Sequence, residues 1–583
     1  MVKEKVVIFG ASKLGEIAYG LLKDKYDIRF FCDNDNNKWN NKFCGINIIS
    51  PEELLKLKNY KIIITSMYSM EIAYQLFDIG LKNIKVFHCN NMENINKVNF
   101  YVLNDVFGKD EFNYIDNGFV LNKIFEEDII RDKDNKSRKK NVLMICYSFP
   151  PIGRSGVQRS LKFAKYLYEL GWNPIVVTTG KMSLSYDKDY SLLKEISKDI
   201  KIIRIEHDKF SPEELHTSEI NEIVQLQRGL LNEELYFEYV KKLKDNSNSE
   251  RKLLINPDEV IIWASKVLRE ICDLVNMENV DLVYTTSSPY SDHIVGYYLK
   301  KHLGIPWVAD FRDEWTNDIE LNLDKDSLNY KLQRSMEENI VQLANKILTV
   351  TPLHTANYIN TFNLPSNKVC TITNGYDEVD FINIKMDNKI KNNKFTIIYN
   401  GTLYYKRNPS SIIETINNLI DKNLIDMNKI EIKFIGYCEE LIKKSIEDRD
   451  KYNICKFTEY IEHKESLNIA SRADLLLLLI GDNIRYRAVY TGKVFEYLRI
   501  NKPIIAISPK ESVVENLLKE TNSGVNIEFN NMDGISKHIL SFYNAWLDNK
   551  ILFKPKIKFI KQYERKNLTK KLIDVFNSIL YKI

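Results

Sequence analysis

Short apolar runs alternate with longer amphipathic stretches along most of this 583-residue chain. Runs such as Val6–Phe9, Asn141–Tyr147 and Leu475–Ile480 are typical of buried strands. Segments such as Val157–Leu170 have the apolar period of a helix. Strands that alternate with helices favour parallel sheets covered by helices on both faces. The sequence therefore predicts an α/β protein.

The alternation falls into three blocks, which agrees with a chain too long for one hydrophobic core. The first block covers residues 1 to 97, the second opens at Asn141, and the third starts near Lys394. Between the first two lies the charged stretch Glu126–Lys140, in which both signs are mixed. Mixed charges without periodicity favour a solvated linker, which we place at residues 98–138.

The charge balance excludes some partners and permits others. The chain carries 83 Lys and Arg against 79 Asp and Glu, a net charge of +4. This excess is too small to indicate nucleic acid, although it permits weak attraction to an anionic membrane.

The apolar run at the N-terminus is too short for a signal peptide, and no run is long enough to span a bilayer. We expect a cytoplasmic protein, with any membrane contact peripheral and at the inner face.

In the second block, a buried strand leads into the turn Gly153-Arg-Ser-Gly156 and then into a helix. Such a turn offers free backbone N–H groups and a partial positive charge, which suit an anion. Gly153, Ser155 and Gly156 are therefore candidates for the wall of a binding cleft. The alternative is a tight strand-to-helix turn without a ligand.

In the third block, Gly401, Lys406 and Arg407 follow the first strand. This place corresponds to the carboxyl edge of a parallel sheet, where ligands bind in such folds. Lysine supplies a compact charge and arginine a planar fork for phosphate oxygens, so both suit a diphosphate. The alternative is a solvated basic loop.

Further along, Gly492 begins a helix that carries Lys493 and Glu496 one turn apart. Both side chains face the same side of the helix. Glu496 can accept two hydrogen bonds from a ribose diol, and Lys493 can contact phosphate. The alternative is an ordinary surface ion pair, which contributes little.

These segments carry a resemblance. Residues 139–560 resemble the glycosyltransferase family 4-like enzymes of the GT-B fold, particularly those of bacterial surface-polysaccharide synthesis. The matching phrases are Phe149-Pro-Pro-Ile-Gly-Arg-Ser-Gly-Val-Gln-Arg159, Ala309-Asp-Phe-Arg-Asp-Glu-Trp315, Thr373-Asn-Gly-Tyr-Asp377, Asn400-Gly-Thr-Leu-Tyr404 and Gly492-Lys-Val-Phe-Glu-Tyr-Leu498.

The resemblance implies two Rossmann-like lobes that face a cleft. The N-terminal lobe, residues 139–385 with an insertion at 181–262, would hold the acceptor. The C-terminal lobe, residues 386–560, would hold a nucleotide-sugar donor such as a UDP- or GDP-sugar. A C-terminal helix at residues 561–583 would return to the N-terminal lobe.

The resemblance also implies the chemistry. A sugar would pass to a glycan or lipid-linked acceptor with retention at the anomeric carbon, and without a metal or other cofactor. Glu496 matches the glutamate that binds the donor ribose, and Lys406 or Arg407 match the basic residues on the diphosphate.

The catalytic residues stay open: Asp313 is a candidate on the acceptor side, although it can equally pair with Arg312. His293 is a second candidate, against the structural role that a lone histidine usually has.

One position departs from the family. Many relatives carry a second glutamate eight residues before the ribose-binding one, and here that position is Ala488. Asp482 is the one nearby carboxylate that can replace it. Arg485 and Arg487 lie in the same loop and can serve the phosphates. The contacts to the sugar are therefore the part of the resemblance that this sequence supports least.

The first block has its own motif. Gly10-Ala-Ser-Lys-Leu-Gly15 follows a strand and opens a helix, and Asp33 lies about 20 residues further on. The spacing suits phosphate at the helix N-terminus and ribose at Asp33, but Ser12 replaces the usual middle glycine. The block resembles small Rossmann-like domains found beside polysaccharide enzymes. We expect it to bind a nucleotide or nucleotide sugar or to regulate the transferase; a docking module without a ligand is the alternative.

Two other functions stay open. Nucleotide-sugar 2-epimerases use the same two-lobed fold, but they need acid and base groups and no acceptor. A non-catalytic nucleotide-sugar-binding regulator is the third possibility, and Ala488 is the residue that suggests it.

Overall fold

A computed structural model gives the fold of the chain. It describes residues 3–57, 60–66, 72, 75–76, 81, 84–88, 99–103, 138–153, 155–180, 188–207, 209, 211–244, 252–277, 279–318, 320–382, 384, 392–404, 407–459 and 461–581. Most of the predicted linker at 98–138 lies outside these ranges.

The described strands, in chain order, are β1 (Lys5–Phe9), β2 (Asp27–Cys32), β3 (Lys42–Phe43), β4 (Ile46–Ile49), β5 (Lys61–Ile64), β6 (Ile84–His88), β7 (Asn99–Leu103), β8 (Asn141–Ile145), β9 (Asn173–Thr179), β10 (Lys201–Ile205), β11 (Leu282–Ser287), β12 (Trp307–Phe311), β13 (Lys346–Thr349), β14 (Val369–Thr371), β15 (Phe395–Asn400), β16 (Ile430–Ile435), β17 (Cys455–Thr458), β18 (Leu475–Leu479), β19 (Ile504–Ile507) and β20 (Gly524–Ile527).

The described α-helices are α1 (Lys13–Leu22), α2 (Ser155–Glu169), α3 (Thr217–Arg228), α4 (Glu233–Lys244), α5 (Ile261–Met277), α6 (Ser291–Leu303), α7 (Leu328–Leu343), α8 (Pro352–Phe362), α9 (Ser410–Asp421), α10 (Glu440–Arg449), α11 (His463–Ala470), α12 (Gly492–Ile500), α13 (Val513–Thr521), α14 (Met532–Leu547), α15 (Ile557–Ile560) and α16 (Arg565–Leu580). No helix within the described ranges is long and apolar enough to cross a membrane.

The chain divides into two compact units. The first comprises Met1–Lys136 and Lys209–Asn279, so most of the predicted insertion groups with the N-terminal block. Its described strands form one sheet in the order β3-β4-β2-β1-β5-β6-β7. The central strands are parallel, while β3 and β7 run antiparallel to their neighbours. Apolar side chains of β1 and β5 fill the core on both faces of the sheet.

The second unit, Ser137–Asp208 and Val280–Ile583, contains two parallel sheets. The first lobe has the strand order β10-β9-β8-β11-β12-β13-β14, and the second lobe has the order β17-β16-β15-β18-β19-β20. In β18 all five residues are buried leucines, as expected for a parallel strand covered on both faces. Both sheets carry helices between successive strands. The predicted α/β class and the GT-B fold are confirmed.

The last helix of the chain packs on the first lobe rather than on the second. Leu568, Leu572 and Phe576 of α16 belong to the core of the first lobe. The ring of Phe576 lies 5.2 Å from that of Trp172 and 6.4 Å from that of Tyr284, between centroids. The chain therefore crosses between the lobes twice, once before β15 and once before α16.

The two crossings are hydrogen-bonded to each other. Tyr376 donates its N–H to the carbonyl of Tyr563 over 3.1 Å, and Arg565 donates its N–H to the carbonyl of Tyr376 over 2.8 Å. A Cβ atom at Gly375 would lie 2.1 Å from the carbonyl oxygen of Tyr563. Glycine at this position is what allows the two backbones to approach so closely.

A buried ion pair joins the first crossing to the core of the first lobe. Arg159 of α2 forms two hydrogen bonds with Asp310 at the end of β12, of 2.7 and 2.8 Å, and both side chains are at most 1% exposed. Arg159 donates a third bond to the carbonyl of Thr373, and Tyr284 donates to Asp310 over 2.5 Å. Although burial opposes charge on Asp310, Arg159 holds the pKa of that carboxyl below its usual value.

We expect Asp310→Ala to destabilise the second unit by about 3–5 kcal/mol, because it leaves the buried guanidinium of Arg159 without its partner. The midpoint of chemical unfolding followed by tryptophan fluorescence measures the change. The control is the double variant Arg159→Met with Asp310→Leu, which removes both charges and is expected to lose much less. A single variant as stable as the unsubstituted chain would contradict the role given to the pair.

Candidate functional site

The glycine-rich turn predicted at Gly153, Ser155 and Gly156 leads into α2 at the carboxyl edge of the first sheet. A Cβ atom at Gly156 would lie 1.8 Å from a terminal nitrogen of Arg312. Arg312 donates hydrogen bonds to backbone carbonyls at the end of β11 and directly after it. The turn thus brings a guanidinium beside the N-terminus of α2, and both features attract an anion.

His293, a candidate from the sequence, lies in the interior of the first lobe. Its side chain is 0% exposed, its Nδ1 lies 2.7 Å from the hydroxyl of Thr285, and its ring centroid lies 4.3 Å from that of Phe311. Burial lowers the pKa of His293 to about 3, so the ring is neutral at physiological pH. In this structure the imidazole does not meet solvent.

Asp313, the other candidate, is solvent-exposed. It begins a strip of carboxylates, here called the carboxylate strip, which also contains Glu314, Asp318 and Glu320. The protein around it displaces water and raises the pKa of Asp313, against the opposing charge of Arg312. Desolvation likewise raises the pKa of Glu314 to about 7 and that of Asp318 to about 6. Glu314 also accepts a hydrogen bond of 2.7 Å from Asn357. The sequence placed Asp313 and Glu314 in a matching phrase but did not show that Glu314 titrates near neutral pH.

The carboxylate strip reaches the second lobe. Arg485 donates to the carbonyl of Asn317 over 2.6 Å, and the hydroxyl of Tyr486 donates to Glu320 over 3.1 Å. Both donors belong to the short 3-10 helix before α12. These contacts bring the acidic segment of the first lobe directly against the arginine-containing loop of the second lobe.

Gly401, Arg407 and Lys493 meet around the side chain of Tyr399 at the carboxyl edge of the second sheet. The Nζ of Lys493 donates to the hydroxyl of Tyr399 over 2.9 Å, and a Cβ at Gly401 would lie 2.5 Å from that Nζ. Burial, with the nearby charge of Arg407, holds the pKa of Lys493 well below its usual value. The buried Nε of Arg407 donates to no described residue. Lys406 lies outside the described residues.

Glu496 pairs with a histidine that the sequence reasoning missed. Its Oε1 lies 2.9 Å from the Nε2 of His463 at the start of α11. Despite desolvation of the carboxyl, His463 with Arg565 and Lys493 lowers the pKa of Glu496 below its usual value. Oε2 accepts no hydrogen bond from the described residues. One oxygen of the carboxylate is therefore held, and the other remains for a ligand.

The pairing with Glu496 also changes His463. Desolvation opposes its charge, but Glu496, aided by Asp380, raises the pKa of His463 to about 9. No sequence motif marks this histidine, because it lies 33 residues from Glu496 along the chain and meets it only through the fold.

The position of the missing glutamate is filled by the buried methyl group of Ala488, which is 5% exposed. Asp482 is exposed in the same loop. The Nε of Arg487 is buried and donates to no described residue. At the position of the family's glutamate the loop thus carries a methyl group, and Asp482 is its one carboxylate.

In the first unit, Gly10 and Gly15 fit a tight turn. A Cβ at Gly15 would lie 2.0 Å from the carbonyl oxygen of Gly10, and Gly10 has a φ of +119° beside Thr65. Ser12 donates a weak 3.5 Å hydrogen bond to the carbonyl of Thr65. Backbone packing therefore requires both glycines whether or not a ligand binds.

Asp33 of the same motif is engaged within the protein. Its carboxylate accepts from the backbone N–H of Ala11 over 2.8 Å and of Asp35 over 3.0 Å, and from the Nζ of Lys38 over 3.0 Å. Asp33 therefore braces the glycine turn. A nucleotide bound here would have to share or replace these contacts.

Within the described ranges, no group of three or more His, Cys, Asp or Glu side chains is arranged to hold a metal ion.

Comparisons with known families match two parts of the chain. Residues 380–566 match the family Glycosyl transferases group 1, and residues 2–87 match the family C2185-like, N-terminal. Gly401, Arg407, Lys493 and Glu496 all fall within the first match. Residues 380–566 are thus a group 1 glycosyltransferase domain, and the predicted enzyme class is confirmed: the chain is a glycosyltransferase. No curated protein matches the chain.

Several solved structures are similar over about three quarters of the chain. A glycosyltransferase from Rickettsia africae is 14% identical with a TM-score of 0.49, and sucrose-phosphate synthase from Thermosynechococcus elongatus is 11% identical with a TM-score of 0.48. Each alignment covers 76% of this chain and 100% of the other. A putative UDP-N-acetylglucosamine 2-epimerase from Listeria monocytogenes is 11% identical, with a TM-score of 0.43 and coverages of 76% and 98%.

We expect the imidazole of His463 to titrate near pH 9 in the folded protein and at a clearly lower pH in Glu496→Gln, because desolvation then opposes its charge without that partner. The ordinary pKa of a histidine is about 6.5. Because the folded pKa is the higher one, the pair stabilises the fold fully below about pH 6.5 and loses this effect as pH rises through about 9. The side chain is 45% exposed, so water weakens the pair. NMR titration of histidine-labelled protein measures both values, and His463→Gln identifies the signal.

The control for this titration is Glu440→Gln, which removes an exposed carboxylate elsewhere in the second lobe. It is expected to leave the titration of His463 unchanged. An unshifted pKa in Glu496→Gln would show that the two side chains are not paired in solution.

Proposed function

We propose that this glycosyltransferase moves a sugar from a nucleotide-sugar donor to a glycan or lipid-linked acceptor in cell-surface polysaccharide synthesis, with retention and without a metal. The donor site is inferred from one observation: Lys493, Arg407 and Glu496 lie together at one edge of the family-matched domain, and only one carboxylate oxygen of Glu496 is hydrogen-bonded. In a nucleoside diphosphate, the phosphates suit Lys493 and Arg407, and the ribose hydroxyls suit Glu496.

The phosphates would lie beside Lys493 and Arg407. A buried lysine with a lowered pKa and an arginine Nε without a partner are both costly in the free protein. A diphosphate would restore the charge of Lys493 and accept the free N–H of Arg407. When the sugar leaves, negative charge grows on the diphosphate, and these fixed cations would stabilise it. The small space beside Gly401 would allow the phosphates to approach the backbone.

The ribose would lie at Glu496. Its free Oε2 can accept a hydrogen bond from a ribose hydroxyl, while His463 holds Oε1 and keeps the carboxylate ionised. We therefore assign His463 as a positioning residue for the ribose contact.

The acceptor would approach from the first lobe. Asp313 is exposed in the carboxylate strip, and Glu314 has a pKa of about 7. A carboxylate that titrates near neutral pH is suited to accept a proton from an acceptor hydroxyl. We propose that Asp313 orients the acceptor and that Glu314 supports its deprotonation. Arg312, with the turn at Gly153–Gly156, would hold an anionic group of the substrates.

The N-terminal domain is proposed to bind a nucleotide or nucleotide sugar at Gly10, Ser12, Gly15 and Asp33, or to regulate the transferase. The strand, turn and helix at this place support a phosphate at the N-terminus of α1. The contacts of Asp33 within the protein favour the regulatory alternative, since its carboxylate is already used.

A second candidate function follows from Ala488. Without a carboxylate at this position, the donor lobe can bind a nucleotide sugar and yet lack the contact that directs transfer. The chain would then act as a nucleotide-sugar-binding regulator, which binds donor but shows no turnover with any acceptor.

We expect Glu496→Ala to weaken donor binding roughly 10- to 100-fold, because it removes a charge-assisted hydrogen bond to the ribose. Isothermal titration calorimetry of the full chain with UDP, GDP and their sugars measures the loss and names the base. His463→Ala is expected to weaken binding less, since it acts through Glu496.

The control variant for binding is again Glu440→Gln, which should bind as the unsubstituted chain does. Unchanged affinity in Glu496→Ala would place the donor elsewhere. Incubating the protein with donor alone then tests for a 2-epimerase, which would release an epimer. Binding of donor without turnover in separate assays with each acceptor would indicate the regulator.

A further inference from the structure

Residues 550–561, here called the basic strap, connect α14 to α16 and include α15. The strap has no acidic residue, and the nearest ones on either side are Asp548 and Glu564. Its exposed lysines are Lys550, Lys554, Lys556, Lys558 and Lys561. Five positive charges in this short segment exceed the net charge of +4 of the whole chain. Of the five, Lys550 forms an ion pair with Asp548, and the other four form none with described residues.

The strap also presents large apolar side chains to water. Ile551 is 80% exposed, Leu552 45%, Ile557 46% and Phe559 42%, and Leu547, three residues before the strap, is 40% exposed. Single exposed apolar residues are ordinary, but a contiguous group marks an interaction surface. Here the apolar side chains are interspersed with the lysines.

The backbone of the strap is fixed to the second lobe. Lys556 donates its N–H to the carbonyl of Thr521 over 2.8 Å, and Asn522 donates its side-chain amide to the carbonyl of Lys554 over 3.0 Å. Ile560, 2% exposed, anchors the end of α15 in the core. The exposed side chains therefore project from a held backbone rather than from a loose loop.

We propose that the basic strap is a docking surface for an anionic lipid bilayer. The ammonium groups would pair with lipid phosphates, while Ile551, Leu552 and Phe559 would enter the boundary between headgroups and acyl chains. An apolar patch alone would equally suit a protein partner. Unpaired lysines alternating with aliphatic and aromatic side chains match a bilayer surface, which satisfies both kinds of group at once.

The place of the strap in the lobe fits this role. α13 begins after β19, at the carboxyl edge where the donor residues lie, and it runs away from that edge. The strap is bonded to the far end of α13, at Thr521 and Asn522. Contact with a bilayer through the strap therefore leaves the donor edge open to water-borne nucleotide sugar.

The test is flotation of the full chain with vesicles of phosphatidylcholine, alone or mixed with phosphatidylglycerol. We expect binding only to the anionic vesicles, and less of it at high salt. Lys554→Gln, Lys556→Gln and Lys558→Gln together should weaken binding roughly 100-fold, since each lysine near an anionic surface contributes about a factor of five. Ile551→Ser should also weaken binding to the vesicles. Because the side chain of Ile551 is 80% exposed, we expect this substitution to leave folding unchanged.

Each variant has a matched control. Lys422→Gln, Lys444→Gln and Lys537→Gln remove the same charge from exposed sites elsewhere in the lobe, and Leu441→Ser replaces an equally exposed apolar residue, which is 76% exposed. Both controls should bind like the unsubstituted chain. Equal losses in control and strap variants, no binding of the full chain to anionic vesicles, or self-association through the strap without lipid binding would overturn the proposal. None of these outcomes involves sugar transfer, so that proposal is tested separately.

Discussion

The buried pair of Arg159 and Asp310 is the constraint on which the second unit depends. A buried guanidinium and a buried carboxylate are tolerated only when each forms hydrogen bonds with the other. The pair therefore fixes the position of α2 against the end of β12. The third bond of Arg159, to the carbonyl of Thr373, ties the first interlobe crossing to the same point. The segment that leads into the second lobe is thereby anchored to the core of the first lobe.

Charged side chains continue from this point toward the donor site. Lys162, one turn after Arg159, pairs with Asp377 of the crossing over 2.7 Å and lies 3.9 Å from Asp380. Asp380 in turn raises the pKa of His463, which holds Glu496. A change in the angle between the lobes therefore alters the electrostatic surroundings of the carboxylate that is proposed to bind ribose.

The fold was predictable from the sequence because apolar period and strand length are local properties, and β18 with its buried leucines illustrates this. The positions of Lys493 and Glu496 on one helix were predictable for the same reason. The partners of these residues were not: His463 and Tyr399 reach them only through the packing of α11 and β15. Likewise, the turn at Gly156 was visible, but the side chain that it accommodates, Arg312, was not. The assignment of ligands to all of these residues stays a prediction.

The close contact at Gly375 has a mechanical consequence. Two separate connections between lobes would ordinarily resist relative motion, because each has its own axis of bending. Here the backbones at Tyr376 and at Tyr563–Arg565 are bonded side by side, so they bend as a single pivot. We expect any opening and closing of the lobes to be a swing about this one pivot, which would bring the same facing residues together again each time the lobes close.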